Sequence, residues 1–462
     1  MFTDQTKHKL TRLNYLFFLT LVALICAALW GNSQLISAAP TANTIAVTTT
    51  DDGLNEDGKC ALREALHNAN TNSKFSDSPG ECVSGSASET DVIVLTSGEE
   101  YILNIAGAGD DAGDLDVLDN GLPLDLRLET DEATAVTIRA NNGLGDRVLE
   151  IHGASVEIEN MTVRNGLTGE NGGGILNDGG TLSLTNVSLQ NNIANVGGGL
   201  YNLNGTAVIS NSQLIFNTGA VGGGGVANSG LSATLTLQGG TMVRVNQSTS
   251  GSGGGVTNSE GLVQVLDNTA VNLNTAAVAG GGIFNNNGGQ LTITASSVEG
   301  NTATDAEGGG IYVEGEGSSL TMTESSVVGN KALQNATGYG GGVMVTDAAT
   351  AVVNTSDIRE NEAYVGGGLF NDVATLTLTD STVFTNTATN AGGGLVNREG
   401  DVTTTAVTMQ GNEAVSPGGG IYNLEGTMTI HNSTLRGNTT KSMGAGLVNN
   451  SGTVSLTTSL LQ

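Results

Sequence analysis

The stretch that decides the fold is GGGIYN, residues 418–423. Three consecutive glycines mean that the backbone passes where a Cβ does not fit, either in a strained turn or against a closely held ligand such as a phosphate. The same motif occurs eleven times, and its third glycines run from Gly174 to Gly446, so 272 residues over ten intervals give a period of about 27. This periodicity identifies a repeat unit rather than one ligand site. The copies end at Asn177, Asn202, Asn228, Asn258, Asn285, Val313, Val345, Asn371, Asn397, Asn423 and Asn449.

Each repeat carries a second pattern, an alternating Thr-rich segment such as TLSLTNVSL, followed by an apolar residue three positions before another Asn. Alternation with a period of two predicts strands, and triple glycine with β-branched residues opposes the helix that leucine-rich repeats commonly carry. The sequence therefore predicts an all-β parallel β-helix of about eleven GGGxxN coils. The second Asn of each interval is Asn192, Asn217, Asn246, Asn274, Asn301, Asn330, Asn361, Asn386, Asn412 or Asn438.

Stacked coils place equivalent residues directly above one another at about 4.8 Å. Inward Leu, Ile and Val residues should form the core, and stacked Asn side chains can form hydrogen-bonded ladders along the rod. Val313 and Val345 occupy the GGGxxN asparagine position in two adjacent coils. They should stack as an apolar pair and interrupt the ladder once. The predicted structural ladder comprises Asn177, Asn202, Asn228, Asn258, Asn285, Asn371, Asn397, Asn423 and Asn449.

The first 39 residues have the pattern of a signal peptide. Lys7, Lys9 and Arg12 precede an apolar run from residue 13 to residue 30, and small residues follow as far as Ala39. An uncleaved membrane anchor is the alternative. Under either interpretation the rest of the chain is predicted to be secreted, or exported to the bacterial cell surface.

Two cysteines remain after the signal segment, which contains Cys26. In an oxidising compartment Cys60 and Cys82 most simply pair in a disulfide. A two-residue metal site is the weaker interpretation, because no nearby His or Cys stands at zinc spacing.

The net charge of -29 argues against nucleic acid as a partner, and against membranes except through the signal segment or a missing C-terminal anchor. Acidity that keeps an exported protein soluble explains this charge most simply. Bound calcium and cationic glycans are the alternatives.

The residues resemble two known families. The paired GGG[IL]xN and apolar-x-x-Asn motifs are similar to the repeats of chlamydial polymorphic outer-membrane proteins, with Val, Leu or Ile where that family has Phe. The segment TTTDDGLNEDGKCALREALHNAN, residues 48–70, resembles the CSLREA domain. The resemblances imply an exported, right-handed, single-stranded parallel β-helix of the pectate-lyase-like type at the bacterial cell surface, and they supply no established catalytic residues. The CSLREA-like positions are Cys60, Leu62, Arg63, Glu64 and Ala65, with Ala61 in place of Ser.

The LREAL segment also predicts a short helix, because Leu62, Ala65, Leu66 and Ala69 fall on one helical face. A β-helix exposes an open edge at its end, so this helix is interpreted as an N-terminal cap, with a separate recognition module as the alternative. We expect a signal peptide at 1–39, the capping segment at 40–100, irregular first coils at 101–170 and regular repeats at 171–462. The last repeat is expected to stop mid-coil.

No phosphate loop, nucleophile elbow or zinc-protease motif is present in the sequence. His67, His152 and His431 are scattered and are interpreted as surface residues. Two acidic stretches are weak calcium candidates and are read first as solvated turns. One resembles an EF-hand loop with Gly53 where Asp is needed, and its matching positions are Asn55, Asp57, Gly58 and Glu64. The other contains Asp110, Asp111, Asp114, Asp116 and Asp119.

The favoured function is a non-catalytic surface scaffold or adhesion module whose partners are glycans or other surface proteins. The first alternative is a polysaccharide lyase or glycoside hydrolase, which needs charged residues that converge from neighbouring coils. The second is the passenger of an autotransporter-like protein whose C-terminal part is missing. The candidate groove for an enzyme lies where the Asn ladder is interrupted, and its residues are interpreted first as solvated turn carboxylates. It comprises Asp305, Glu307, Glu314, Glu316, Glu324, Lys331 and Asp347.

Overall fold

The computed structural model describes residues 42–107, 112–119, 126–130, 136–305, 307–333 and 338–462. The predicted signal peptide lies outside the described residues, as do Asp110 and Asp111. Within the described ranges, no helix has the length and apolarity that a transmembrane span requires.

The fold is a right-handed parallel β-helix, as predicted. Each regular coil contributes one strand to each of four parallel sheets, which we number 1 to 4 in the order in which the chain passes through them after the glycine motif. Sheet 1 consists of Leu115–Leu118, Leu149–His152, Ile175–Asp178, Leu200–Leu203, Val226–Ser229, Val256–Ser259, Ile283–Asn286, Ile311–Glu314, Val343–Thr346, Leu369–Asp372, Leu395–Arg398, Ile421–Leu424 and Leu447–Asn450.

Sheet 2 carries the Thr-rich strands. It consists of Ala42–Ala46, Thr90–Leu95, Leu126–Thr130, Ser155–Glu159, Thr181–Thr185, Thr206–Ser210, Thr234–Gln238, Leu262–Val265, Gln290–Thr294, Ser319–Thr323, Thr350–Asn354, Thr375–Thr379, Asp401–Thr405, Thr427–His431 and Thr453–Thr457.

Sheets 3 and 4 have shorter strands. Sheet 3 consists of Glu100–Leu103, Val136–Ala140, Met161–Arg164, Ser188–Gln190, Gln213–Ile215, Met242–Arg244, Ala270–Asn272, Ser297–Glu299, Ser326–Val328, Asp357–Arg359, Thr382–Phe384, Thr408–Gln410, Thr434–Arg436 and Leu460–Leu461. Sheet 4 consists of Ile193–Val196, Thr218–Gly222, Gln247–Ser248, Thr275–Ala276, Thr302–Ala303, Lys331–Ala332, Glu362–Ala363, Thr387–Ala388, Glu413–Ala414 and Thr439–Thr440.

The triple glycine is a tightly stacked corner. Gly418 has a left-handed backbone with φ +77°, which a glycine adopts without a steric penalty. A Cβ on Gly419 would lie 2.3 Å from the carbonyl oxygen of Thr439, and one on Gly420 would lie 2.5 Å from that of Gly446. The last two glycines therefore let neighbouring coils approach. Ile421 then points into the core and is fully buried.

Two ladders of buried Asn side chains follow the rod. In the first, Asn177 Nδ2 donates to Asn202 Oδ1 at 2.7 Å, and the chain of contacts continues to Asn285. The buried Val313 and Val345 pair in register in the next two coils, and the ladder resumes when Asn371 donates to Asn397 at 2.9 Å. The second ladder runs from Asn192 to Asn438, and each Asn side chain in it donates to the next one along.

A single helix among the described residues, α1 (Leu62–Thr71), packs at the N-terminal end of the coils. The predicted disulfide between Cys60 and Cys82 is present beside it. Glu64 caps the helix, because one of its oxygens accepts a hydrogen bond from Ala61 N at 3.0 Å and the other accepts one from Asn55 N at 2.7 Å. Both carboxylate oxygens of Glu64, the last matching position of the EF-hand-like stretch, therefore accept hydrogen bonds from backbone N–H groups.

Candidate functional site

The outer face of sheet 1 collects aromatic side chains from the repeats. Because side chains alternate along a strand, the buried Ile421 is followed by Tyr422 on the outside. In neighbouring coils these outward residues form a second apolar cluster, separate from the core, which we call the aromatic face. Its buried members are Ala279, Tyr312, Met344, Val365, Phe370 and Val396, and its partly buried members are Phe284, Tyr339, Tyr364 and Tyr422.

Ring contacts fix the orientation of this face. The Phe284 and Tyr312 rings stack with centroids 5.5 Å apart, and the Tyr339 and Phe370 rings lie 4.9 Å apart. Arg398 places its guanidinium carbon 5.3 Å from the centre of the Phe370 ring. Buried rings thus support partly exposed ones, which lowers the entropy cost of holding the exposed rings ready for a ligand.

Carboxyl groups line the same face, and we call Glu307, Glu314, Asp347 and Asp372 the carboxylate cluster. Burial raises the pKa of Glu307, although a hydrogen bond with the Tyr312 hydroxyl opposes this shift. Burial also raises the pKa of Glu314, with further contributions from the negative charges of Asp347 and Glu307. Carboxyl groups with raised pKa values are common at sites that bind or transfer protons, although structural clusters produce them too.

One cation balances part of this negative charge. Arg398 binds Asp372 through two guanidinium nitrogens, with Nε 2.6 Å from Oδ1. Such a fork holds the guanidinium in one plane over the Phe370 ring. The face therefore offers aromatic surface, carboxylates and an oriented guanidinium within neighbouring coils.

Only part of the predicted groove comes together here. Glu307, Glu314 and Asp347 influence one another electrostatically beside the interrupted Asn ladder. Asp305 and Glu316 are exposed, and Lys331 pairs with Glu362 at 3.0 Å on sheet 4. Glu324 instead lines a separate polar groove of about 660 Å³ at the corner between sheets 2 and 3.

Sequence reasoning missed the partners of the cluster. Four of them, Tyr312, Phe370, Asp372 and Arg398, lie on strands of sheet 1 that pair in register. Tyr339 lies before its strand and forms isolated bridges with Glu307 and Val365. The signal that could have found Tyr312 and Phe370 is their position directly after the inward residue of each glycine motif, whereas Asp372 and Arg398 end their strands at equivalent positions. Tyr339 precedes its motif, and its place depends on the conformation of the preceding turn.

A second candidate site is a cavity of about 620 Å³ on sheet 1 near the N-terminal end, which we call the first-coil pocket. Helix α1 organises its backbone, because Arg63 donates to the carbonyl oxygens of Gly113 and Asp114, each at 2.9 Å, and Asn70 donates to that of Asp116 at 2.7 Å. The lining residues are Asp114, Asp116, Leu118, Gly145, Asp146, Arg147, Glu150, His152, Thr168, Gly169 and Glu170.

The pocket contains a buried charge network. Burial, with the nearby negative charges of Asp146 and Asp116, raises the pKa of Asp114 to about 7. Arg147, only 5% exposed, contacts Asp114 Oδ2 at 3.4 Å and also pairs with Glu150. A carboxyl group that can be protonated near neutral pH and a guanidinium group therefore lie side by side at the wall of the cavity. The sequence analysis did not predict this network.

Three side chains of this pocket have the geometry of metal ligands. Asp116, Glu150 and His152 each offer one atom, and these atoms lie within 4.8 Å of one another. The mixed oxygen and nitrogen donors suit a divalent transition-metal ion better than calcium, which prefers oxygen ligands. Of the predicted calcium stretch, Asp114 and Asp116 lie here, whereas Asp119 follows the strand just beyond the pocket lining. His152, predicted as a scattered surface residue, is 42% exposed at the side chain and belongs to this group.

A family model described as a right-handed β-helix region matches residues 298–440, the segment that holds most of the aromatic face and the whole carboxylate cluster. The chain contains a right-handed β-helix region. The A-module of the Azotobacter vinelandii mannuronan C-5 epimerase AlgE6 is similar in structure, with 12% identity, a TM-score of 0.42, and coverage of 81% of this chain and 91% of that one. Pectate lyase Pel9A gives 11% identity, a TM-score of 0.26, and coverage of 78% and 70%. A comparison with curated proteins gives no match.

Proposed function

We propose that the chain is an exported β-helical scaffold of the bacterial surface or extracellular space, and that it binds glycans on the aromatic face of sheet 1 without chemical turnover. The observation that carries this proposal is the row of partly exposed aromatic rings beside carboxylates and an oriented guanidinium. The C–H faces of a sugar ring pack on aromatic rings, while its hydroxyls bind carboxylates and guanidinium groups.

The repeat explains why binding suits this face. Coils repeat at about 4.8 Å, so the row presents similar groups at a fixed spacing over several coils. Many weak contacts along a stiff support add up to useful affinity. The resemblance of the repeats to polymorphic outer-membrane proteins, and of the N-terminal segment to the CSLREA domain, favours a surface location.

A glycan array probed with the labelled full chain tests this proposal, with and without calcium and after addition of a chelator. We expect binding to extended glycans that falls roughly five- to tenfold with Phe284→Ala or Tyr422→Ala, the value of one aromatic contact. Phe384→Ala is the matched control, because this partly buried ring lies on the outer face of sheet 3. Equal losses for all three variants, or an array without signal, would overturn the proposal.

A second candidate function is polysaccharide cleavage at the carboxylate cluster. The specific observation that favours it is the raised pKa of both Glu307 and Glu314 beside Asp347, since a general acid must hold its proton near neutral pH. Incubation with acidic and neutral polysaccharides, followed for reducing ends or unsaturated products, separates the two functions. Turnover that falls with Glu314→Gln or Asp347→Asn would show that the chain is an enzyme and would overturn the proposal of a non-catalytic scaffold.

A further inference from the structure

Three successive coils have bulky apolar residues at a corner where neither the backbone conformation nor burial favours them. Phe216, Val245 and Leu273 have left-handed backbones, with φ +57°, +54° and +55°. Their side chains are nevertheless 53%, 38% and 46% exposed. Left-handed φ disfavours bulky residues, and β-branched residues most of all, while exposure gives apolar side chains no burial energy in return. At the same corner other coils have Asn191, Gly300, Gly329, Glu360, Thr385, Gly411 and Gly437.

These three side chains form one continuous ridge. The strand registers on either side align Phe216 with Val245 and Val245 with Leu273, at the junction of sheets 3 and 4. Three coils at about 4.8 Å give a ridge about 10 Å long that follows the rod axis. Strained or unfavourable conformations are commonly retained at functional sites, so the ridge indicates a surface that binds a partner.

The ridge leads into a notch. The next two corner residues, Gly300 and Gly329, have no side chains, and a cavity of about 240 Å³ opens there. The Leu273 side chain reaches over the first glycine, because a Cβ on Gly300 would lie 2.9 Å from Leu273 Cδ2. Val328 also lines the cavity and is only 6% exposed, so it supplies an apolar base.

Carboxylates flank this notch. Glu299 and Glu360 both line the cavity. Glu360 pairs with Arg359 at 2.6 Å, whereas Glu299 has no ion-pair partner within 4 Å among the residues that the structure describes. An apolar channel that ends between carboxylates complements a side chain with an apolar stem and a cationic head.

We propose that the ridge and notch bind a short extended peptide segment of another protein, with apolar residues on Phe216, Val245 and Leu273 and a Lys or Arg side chain in the notch. The cavity is smaller than the usual pocket for a whole small-molecule ligand, about 300–1,000 Å³, and suits one side chain. Alternate residues of an extended peptide point to the same side about 7 Å apart. Two apolar residues therefore cover the ridge, and the next alternate residue reaches the notch.

An array of immobilised extended peptides tests this site on the full chain. The probes share the pattern Leu-Thr-Leu-Thr-X, with X as Lys, Arg, Glu or norleucine. We expect Lys and Arg probes to bind at least tenfold more tightly than the Glu probe, and Glu299→Gln to reduce that preference. Equal binding of all four probes would overturn the assignment.

Substitutions at the ridge separate function from fold. Phe216→Asn and Leu273→Asn each install a residue type that tolerates the left-handed backbone, as Asn191 does in the preceding coil. We expect both to abolish peptide binding while the Tm stays equal to or above that of the unaltered chain. A lower Tm would show that the ridge serves the fold, and loss of glycan binding in the same variants would assign it to glycans instead.

Val373→Asn is the matched control. Val373 is another exposed apolar residue with a left-handed backbone, φ +50° and 51% exposure, but it follows a strand of sheet 1. We expect this variant to leave peptide binding unchanged and to affect the Tm as the ridge variants do. Loss of peptide binding in Val373→Asn would contradict the proposed location.

Discussion

Asp114 is a single residue whose ionisation the fold alters strongly. Its folded pKa of about 7 lies above the ordinary 3.8, so between these pH values the folded state holds a proton that the unfolded state has lost. The associated stability is fully present below about pH 4 and is lost as the pH rises through 7. We expect Asp114→Asn to raise the free energy of unfolding at pH 8 by about 4 kcal/mol and to change it little at pH 4, because each tenfold change in proton affinity is worth about 1.4 kcal/mol.

Denaturant unfolding of both chains across this pH range measures the effect. Asp357→Asn is the control, because this carboxylate is exposed on sheet 3. A difference between Asp114→Asn and the unaltered chain that stays constant from pH 4 to pH 8 would show that folding does not raise the pKa of Asp114.

At the scale of the structural element, the second Asn ladder links each coil to the next. Asn274 Oδ1 accepts hydrogen bonds from both the backbone N and Nδ2 of Asn246, at 2.9 and 3.0 Å. Asn274→Val removes this acceptor from both donors, and although Asn246 Nδ2 keeps Leu214 O as an acceptor at 2.8 Å, the buried backbone N–H of Asn246 is left without one. We expect a loss of about 2 kcal/mol, since an unsatisfied buried donor costs about 1–3 kcal/mol. Denaturant unfolding measures the loss, and faster hydrogen exchange at the Asn246 amide locates it.

The same substitution at Asn285 is the matched control. This side chain is also fully buried, but it lies at the end of a ladder segment, beside Val313. Among the described residues, Asn285 Oδ1 accepts a hydrogen bond from Asn258 Nδ2, which keeps Gly261 O as an acceptor at 2.9 Å, and from no backbone N–H. Asn285→Val should therefore cost clearly less than Asn274→Val, and equal costs would contradict the ladder's role.

Strand alternation and the glycine period were enough to predict the coil, its inward residues and the position where an Asn ladder is interrupted. They did not predict which turn residues contact one another across coils. The intervals between third glycines range from 25 to 32 residues, so the turns differ in length and place their side chains differently. The longest interval, from Gly310 to Gly342, brings Tyr339 onto the aromatic face. Glu324 is close in sequence to Glu314, but a turn places it on another corner.

The serine row at the corner between sheets 2 and 3 was also missed. Ser356 Oγ accepts a hydrogen bond from Ser325 N at 3.1 Å, and Ser381 Oγ accepts one from Ser356 N at 3.1 Å. Serine is so frequent in turns that its spacing alone did not distinguish a buried acceptor from a solvated hydroxyl.

At the scale of the whole molecule, 45 acidic residues face 16 basic ones. Neighbouring coils stack at about 4.8 Å, so acidic side chains at equivalent positions lie close enough for their charges to repel one another. Unfolding separates these charges, so their repulsion destabilises the rod. Raising NaCl from about 10 mM to about 150 mM shortens the Debye length from about 30 Å to about 8 Å, and we expect the apparent Tm to rise by a few degrees.

Manganese chloride or calcium chloride at matched ionic strength distinguishes screening from a specific site. Screening alone gives the same Tm with either salt. If the first-coil pocket holds a divalent cation, calcium or manganese raises the Tm further, because binding to the folded state alone adds stability that grows with ligand concentration. Glu150→Gln removes one of the three grouped ligand atoms and should abolish this additional rise, while the response to NaCl persists. A Tm that is indifferent to the choice of salt would show that no divalent cation binds there, and that Arg147 balances the charge of Asp114 and Glu150 by itself.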